Sequence, residues 1–167
     1  MVGDIYLVFL GIAMGVAYLP LHWLFPYFFG QVPHPLGRRQ VFRSVGTILL
    51  AALVLFALST IMPDQDLGNR FLHTFGGGFL AFGVCFFAAR DSRVHIGTFQ
   101  FFFFSVLLVL ALGIANELVE FVLQLYTGFP FAPSILDTWL DLTSNLVGVL
   151  LASMYFVPRY KKVGLRQ

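Results

Sequence analysis

Apolar residues run along this chain in long stretches separated by short polar breaks. Five stretches reach the roughly 20 mainly apolar residues that a helix needs to cross a bilayer. They are Ile5 to about Phe29, about Val45 to Met62, Phe71 to Ala89, about Thr98 to Tyr126, and about Ser134 to Val157. Pro20 and Pro26 interrupt the first. The breaks carry turn chemistry: Gln31-Val-Pro-His-Pro-Leu-Gly37, Met62-Pro-Asp-Gln-Asp-Leu-Gly68 and Gly128-Phe-Pro-Phe-Ala-Pro133. The pattern predicts an all-α fold, a polytopic membrane helix bundle of five transmembrane helices, with residues 1–167 forming a single integral membrane domain. Asp4 stands where a signal peptide would be basic, and the first apolar run is too long for one, so no cleaved leader is expected.

Composition narrows the class further. Of the 167 residues, 59% are apolar and 11% are Asp, Glu, Lys or Arg, against about 25% charged in a soluble domain. Mean hydropathy is +0.86. These values exclude a disordered chain, a disulfide scaffold and a soluble nucleic-acid module, and no nucleic-acid partner is expected. The lone Cys85 lies in an apolar run and reads as a small buried hydrophobe. The run Phe101–Phe104 reads as packing or lipid-facing surface.

The position of the charges gives a direction. Arg38, Arg39 and Arg43 flank the first break, Arg90 and Arg93 the third, and Arg159, Lys161, Lys162 and Arg166 form the tail. With five spans these regions share one side, and only Arg70 falls on the other. The excess of positive charge in cytoplasmic loops then predicts an N-terminus outside and a C-terminus inside. A four- or six-span chain would scatter the same charges. The basic tail could touch anionic lipid, although a plain topology signal accounts for it.

Ionisable groups within a bilayer are costly, and usually face a bundle interior and serve a function. Here they are grouped. The fourth span carries Asn116, Glu117, Glu120 and Gln124, of which the last three fall within roughly 60° of one face. The fifth carries Asp137, Asp141 and Asn145 on one face, continued by Gly148 and Ala152. The third opens with Asn69, Arg70 and His73, followed by Gly76, Gly77 and Gly78, small residues that permit close helix approach. At 1.5 Å per residue, Glu117 lies about 13 Å from the outer end of its span, Asp141 about 10 Å and Asn145 about 16 Å. Three independent segments thus converge at one level in the outer half of the membrane.

Four carboxyls there cannot all stay ionised without compensation. Some are protonated and bonded to the amides, or Arg70 and His73 pair with them, or a divalent cation is bound. In the last case Glu117, Glu120, Asp137 and Asp141 are the expected metal ligands. Carboxylates with amide oxygens suit Ca²⁺ or Mg²⁺, and His73 would admit Zn²⁺, although no closed Cys/His set exists. His22 with Trp23 reads as an interfacial anchor. His34 and His95 lie in loops. A bis-histidine haem is not expected, because His22 and His73 approach opposite sides. Nucleotide-binding glycine motifs and His-Glu-x-x-His are absent from the sequence. No serine or cysteine has an evident base, and Ser144 reads as packing.

At these residues the chain resembles the VanZ-like membrane proteins. Asn69-Arg70-Phe-Leu-His73-Thr-Phe-Gly-Gly77 is similar to the start of that family's third helix, Glu120-x-x-x-Gln124 to its Glu/Gln stripe, and Asp141-x-x-x-Asn145-x-x-Gly148 to its best-marked motif. Asp137-Thr-Trp-Leu-Asp141 and Glu117-x-x-Glu120 look closest to the YjdF-type inner-membrane branch. The likeness covers about Asn69 to Ala152. It implies a multi-pass bacterial inner-membrane protein of the cell envelope.

Two functional readings follow. In the first, Arg70, His73, Glu117, Glu120, Gln124, Asp137, Asp141 and Asn145 line a pocket open to the outer leaflet that binds a lipid headgroup or envelope precursor. Were there turnover, a carboxylate would be the base and His73 the acid; no reaction follows from the residues themselves. In the second, the chain is an accessory subunit packed on a larger membrane protein complex, and the polar ladder is sealed by internal hydrogen bonds. Ion translocation ranks last, because the inner halves of spans three to five offer few polar groups.

Overall fold

A computed structural model of the chain describes the backbone of residues 2–129, 131 and 134–164, and the side chains of 9, 11–129, 131 and 134–160. The Asp4 side chain, Pro130 and Pro133 of the last turn, and the tail charges Lys161, Lys162 and Arg166 lie outside these described residues. The helices are α1 (Val2–Phe28), α2 (Arg38–Thr60), α3 (Gln65–Leu72), a π-helical segment (His73–Leu80), α4 (Ala81–Asp91), α5 (Thr98–Thr127) and α6 (Ile135–Gly164). There is no strand among the described residues. α3, the π segment and α4 run on without a break as one rod.

Among the described residues, four helices are long and apolar enough to cross a membrane: Arg38–Thr60, Gln65–Asp91, Thr98–Thr127 and Ile135–Tyr160. α1 has 27 residues and stays helical through Pro20 and Pro26. A proline fixes φ near the helical value but removes one ladder hydrogen bond, and here the helix continues to Phe28 despite that loss.

The starts of α2 and α3 and the end of α6, which runs to Gly164, differ from the hydropathy reading. α2 starts at Arg38 rather than near Val45, because its polar first turns are used in packing: Ser44 is buried. The expected turn Met62–Gly68 is shorter, and α3 already begins at Gln65. Asp64 caps it, its side chain accepting the backbone N–H of Asp66 at 3.2 Å. A side-chain oxygen at this position satisfies an orphan N–H of the first turn. The consequence is functional, since Asn69 and Arg70 sit on a formed helix with fixed direction.

The outward faces carry Leu50, Leu53, Leu107, Leu118, Leu150 and Met154, all exposed, as expected where lipid is the solvent. Inside, one half of the bundle is aromatic. Phe82 packs edge-on against Phe101 at 5.7 Å, Phe86 lies 5.0 Å from Phe156, and Phe101 stacks on Tyr160 at 4.2 Å. Of the Phe101–Phe104 run, Phe101 is fully buried in this core while Phe103 faces out. Cys85 is buried and free.

The two ends of the bundle differ in charge. The Gln31–Gly37 loop, the 92–97 loop and the end of α6 meet at one end. There His34 N–H donates to the Ser92 carbonyl, Gln31 exchanges hydrogen bonds with the His95 backbone, and the Tyr160 hydroxyl donates to the Val94 carbonyl at 2.9 Å. Arg38, Arg39, Arg43, Arg93 and Arg159 are exposed around it. Arg70 belongs to the opposite end.

Beneath the basic end, Asp91 ties three helices together. It accepts hydrogen bonds from Tyr18 of α1 at 2.8 Å and Ser44 of α2 at 2.5 Å, while Arg90 Nε donates to it at 2.7 Å. His22 is fully buried beside this cluster, its Nε2 2.8 Å from the His34 carbonyl oxygen. It is therefore an interior residue and not the interfacial anchor its neighbour suggested; Trp23 alone is exposed.

The tightest contact in the bundle joins the π segment to α6. A Cβ on Gly148 would overlap the Thr74 carbonyl oxygen, and one on Gly78 would overlap the backbone of Asn145 and Gly148. Only hydrogen is tolerated on both sides, so the two backbones touch. Gly148→Ala should lower the unfolding midpoint of detergent-purified protein by an amount corresponding to about 1–3 kcal/mol, the usual cost of overpacking. Gly46→Ala, where a Cβ meets nothing within 4 Å, should leave the midpoint unchanged or slightly higher. Equal melting of the two variants would refute the backbone contact.

Candidate functional site

Three helices deliver the site, and each does so for a local reason. α3 carries Asn69 and Arg70 on its last turn, and His73 opens the π segment directly after it. π segments are rare, and they concentrate at functional sites because the inserted residue re-aims the side chains around it. On α5, Asn116, Glu117 and Glu120 lie within a turn of one another. On α6, Asp137, Asp141 and Asn145 are spaced by four and share one face. The glycine contact of the π segment with α6 brings the third group against the first, and Gly113 of α5, which faces Asn145, brings the second group close to the third.

The acidic groups divide into two sets. Arg70 is shared between the two aspartates of α6: its Nη1 donates to Asp141 Oδ1 and its Nη2 to Asp137 Oδ1, with a further bond to the Asp137 carbonyl at 3.2 Å. Asn69 Nδ2 adds a hydrogen bond to Asp141 at 3.2 Å, and His73 Nε2 lies 3.3 Å from the same carboxylate. Asp141 is thus held from three directions, and only 2% of its surface is exposed.

The glutamates are arranged differently. Glu117 and Glu120 are both buried. Glu120 accepts a hydrogen bond from Asn116 Nδ2 at 2.7 Å. Neither carboxylate oxygen of Glu117 has a hydrogen-bond partner among the described residues; Thr138 faces it from α6 outside bonding geometry. Ligand atoms of His73, Glu117 and Glu120 all lie within 4.8 Å of one another. Asn145, wedged between Gly77 and Gly113, is buried with its Oδ1 also lacking a partner.

These groups border a cavity of about 520 Å³. Its polar wall is Asn69, His73, Asn116, Glu120 and Asn145. The rest is apolar, lined from α1, α2, α4 and α5 by side chains such as Met14, Leu21, Leu55, Val84 and Leu112. From Asn69 to Val84 it follows the rod for about 20 Å. α1 and α5 meet below it, where Phe25 and Phe104 pack at 4.9 Å.

The residues singled out from sequence therefore fall into distinct places. His73, Glu120 and Asn145 line the cavity. Glu117 lies among them, with a ligand atom close to those of His73 and Glu120. Arg70, Asp137 and Asp141 form a buttress of ion pairs behind it rather than cavity wall. Gln124 is half-buried, further along α5 toward the turn. Sequence reasoning set Asn69 and Asn116 beside the stripes without placing them in the site, although both lie within one turn of its acidic and basic residues. It gave no sign of the Tyr18–Ser44–Asp91 cluster. Tyr18 and Ser44 sit in separate runs far from Asp91 in the chain, and Asp91 is flanked by arginines that read as topology charges.

Arg70 balances two carboxylates at once, so its removal should be severe. Breaking a largely buried ion pair by deleting one partner costs about 3–5 kcal/mol, because the other charge is left uncompensated. Arg70→Gln should accordingly lower the folded yield and the unfolding midpoint. Adding Asp137→Asn and Asp141→Asn to the same chain should restore most of the loss. Size-exclusion profiles and thermal melts of the single and triple variants check this; no recovery in the triple variant would rule out charge compensation as the role of Arg70.

No curated protein and no solved structure is significantly similar to this chain. Residues 5–162 match the family model described as "Predicted membrane protein (DUF2238)". The match reaches into each of the described helices and covers every residue of the site. It agrees with the long apolar helices found independently, and the chain belongs to this family of predicted membrane proteins.

Proposed function

We propose that this protein is a five-span bacterial inner-membrane protein that binds a single amphipathic, lipid-like molecule, with the polar headgroup at the carboxylate end and the hydrocarbon along the cavity. α1 supplies the fifth span. The basic end faces the cytoplasm by the positive-inside rule, which puts the cavity's polar wall toward the outer leaflet.

One observation carries the reading: the cavity is apolar along most of its length and polar at one end only. Ligand sites combine apolar walls with a few placed polar groups that fix orientation, and this division matches a molecule that is itself divided. A volume of about 520 Å³ falls in the usual range of ligand cavities, about 300–1,000 Å³. The polar wall consists of amides, an imidazole and a carboxylate. It suits a headgroup rich in hydroxyl or ammonium donors, which Glu120 and the amide oxygens can accept. Arg70 is committed to Asp137 and Asp141, so it supports the wall rather than gripping an anionic group. The resemblance to the VanZ-like proteins supports a cell-envelope setting. An accessory subunit with a sealed polar ladder is the weaker reading, since the ladder borders a cavity.

Gly76 lines the cavity, and a Cβ there would meet nothing within 4 Å. Gly76→Leu should therefore fill the space from a site that does not clash. With delipidated protein in the presence of a chelator, native mass spectrometry should show one phosphatidylethanolamine retained per wild-type chain, in preference to phosphatidic acid. Gly76→Leu should reduce retention by about ten-fold or more, a loss of roughly 1.4 kcal/mol, while melting as wild type. Equal retention by both proteins would remove the basis for the reading.

A further inference from the structure

We propose that His73, Glu117 and Glu120 bind one divalent transition-metal ion at the head of the cavity, with Asn145 at its edge. The three side chains come from two helices and present a nitrogen and two carboxylate oxygens within 4.8 Å of one another. Glu117 and Glu120 are a helical turn apart on α5, so both reach the same point. His73 meets them from the first position of the π segment.

Glu117 supplies the independent observation. It is only 7% exposed, and both of its carboxylate oxygens are buried without a hydrogen-bond partner among the described residues. A buried carboxylate without partners is costly in a medium of low dielectric. Arg70 cannot relieve it, because that guanidinium is held by Asp137 and Asp141 on α6. Asn145 Oδ1, which faces His73 outside bonding geometry, is a second buried oxygen without a partner among the described residues. Orphaned acceptors on two helices, both gathered around one imidazole, are what a cation would satisfy.

The donor set selects the kind of ion. Calcium and magnesium prefer oxygen alone, whereas imidazole favours zinc and its neighbours in the transition series. One histidine with two carboxylates suits Zn²⁺ or Mn²⁺. Bonds of about 2.0–2.1 Å place tetrahedral donors roughly 3.4 Å apart, so the donor separations, at most 4.8 Å, would shrink by up to about 1.4 Å on loading. The surroundings fit as well. A metal-bound imidazole usually presents its other nitrogen to a carboxylate, which fixes the ring. Asp141 stands 3.3 Å from His73 Nε2 and is itself fixed by Arg70 and Asn69, so it can hold the ring whose ligand nitrogen lies near the two glutamates. The buttress behind the cavity and the site in front of it are therefore one unit. Nothing in this requires that the cavity hold a lipid.

The test uses full-length, delipidated protein in detergent, stripped with chelator and then titrated with Zn²⁺ or Mn²⁺. Bound metal is counted by inductively coupled plasma mass spectrometry after desalting, and affinity is measured by competition with a chromogenic chelator. Wild type should retain about one ion per chain and melt at a higher temperature when loaded. Glu117→Gln and His73→Gln should each weaken binding by at least about ten-fold and abolish the thermal shift. The metal-free Glu117→Gln protein should melt no lower than metal-free wild type, because Glu117 has no hydrogen bond to lose. No ion in wild type, or wild-type affinity in a folded Glu117→Gln protein, would overturn the proposal. So would binding of Ca²⁺ or Mg²⁺ in preference to both transition ions. Because the lipid assay is run with chelator and this one without lipid, either site can fail while the other stands.

Discussion

A single guanidinium organises the acidic end of this bundle. Arg70 sits between Asp137 and Asp141, one turn apart on α6, and neutralises part of their combined charge while linking α3 to α6. In an apolar medium such a pair must be made with good geometry and supported by further hydrogen bonds. Here the support comes from Asn69 and His73 on the same rod. His73 is oriented by the carboxylate that Arg70 holds, and Asn145 lies one turn below it on the same face of α6.

The glycine contact is the second constraint, and it acts through distance rather than charge. Where Gly78 meets Gly148 no side chain separates the helices. Without a solvent-driven hydrophobic effect inside a bilayer, close backbone packing is a main source of helix association. The π segment coincides with this stretch. It changes the helical phase between Arg70, which faces α6, and Phe82, which faces the aromatic core. One continuous rod thereby serves an ion-pair buttress at one end and an apolar core at the other.

The polar groups of this protein are concentrated at two levels with an aromatic and aliphatic layer between them. At the basic end, the Tyr18–Ser44–Asp91 cluster has partners for its carboxylate on three sides and behaves as a fastening for α1, α2 and α4. At the other end, Asp141 is equally well satisfied but Glu117 is not. Carboxylates in the same buried interior are thus treated in opposite ways: one is closed into a hydrogen-bonded network, and the other has no hydrogen-bond partner among the described residues.

Much of this was legible in the chain itself, because a bilayer leaves few options. Apolar length fixed the helices, charge placement fixed which ends lie together, and spacing by three and four fixed which faces Glu117, Glu120, Asp137, Asp141 and Asn145 occupy. Counting 1.5 Å per residue was enough to place three stripes at one level. Pairing was not available from such counting. Periodicity says which residues share a face but not how far that face is rotated about its axis, and the π segment alters the rotation within the span. Only the packed bundle decided that Arg70 serves the aspartates, that Glu117 has no hydrogen-bond partner among the described residues, and that Asp91 reaches Tyr18 and Ser44 across long stretches of chain. Those outcomes depend on angles between helices, which are set by side-chain volume at contacts such as Gly78 with Gly148 and carry no local signature in sequence.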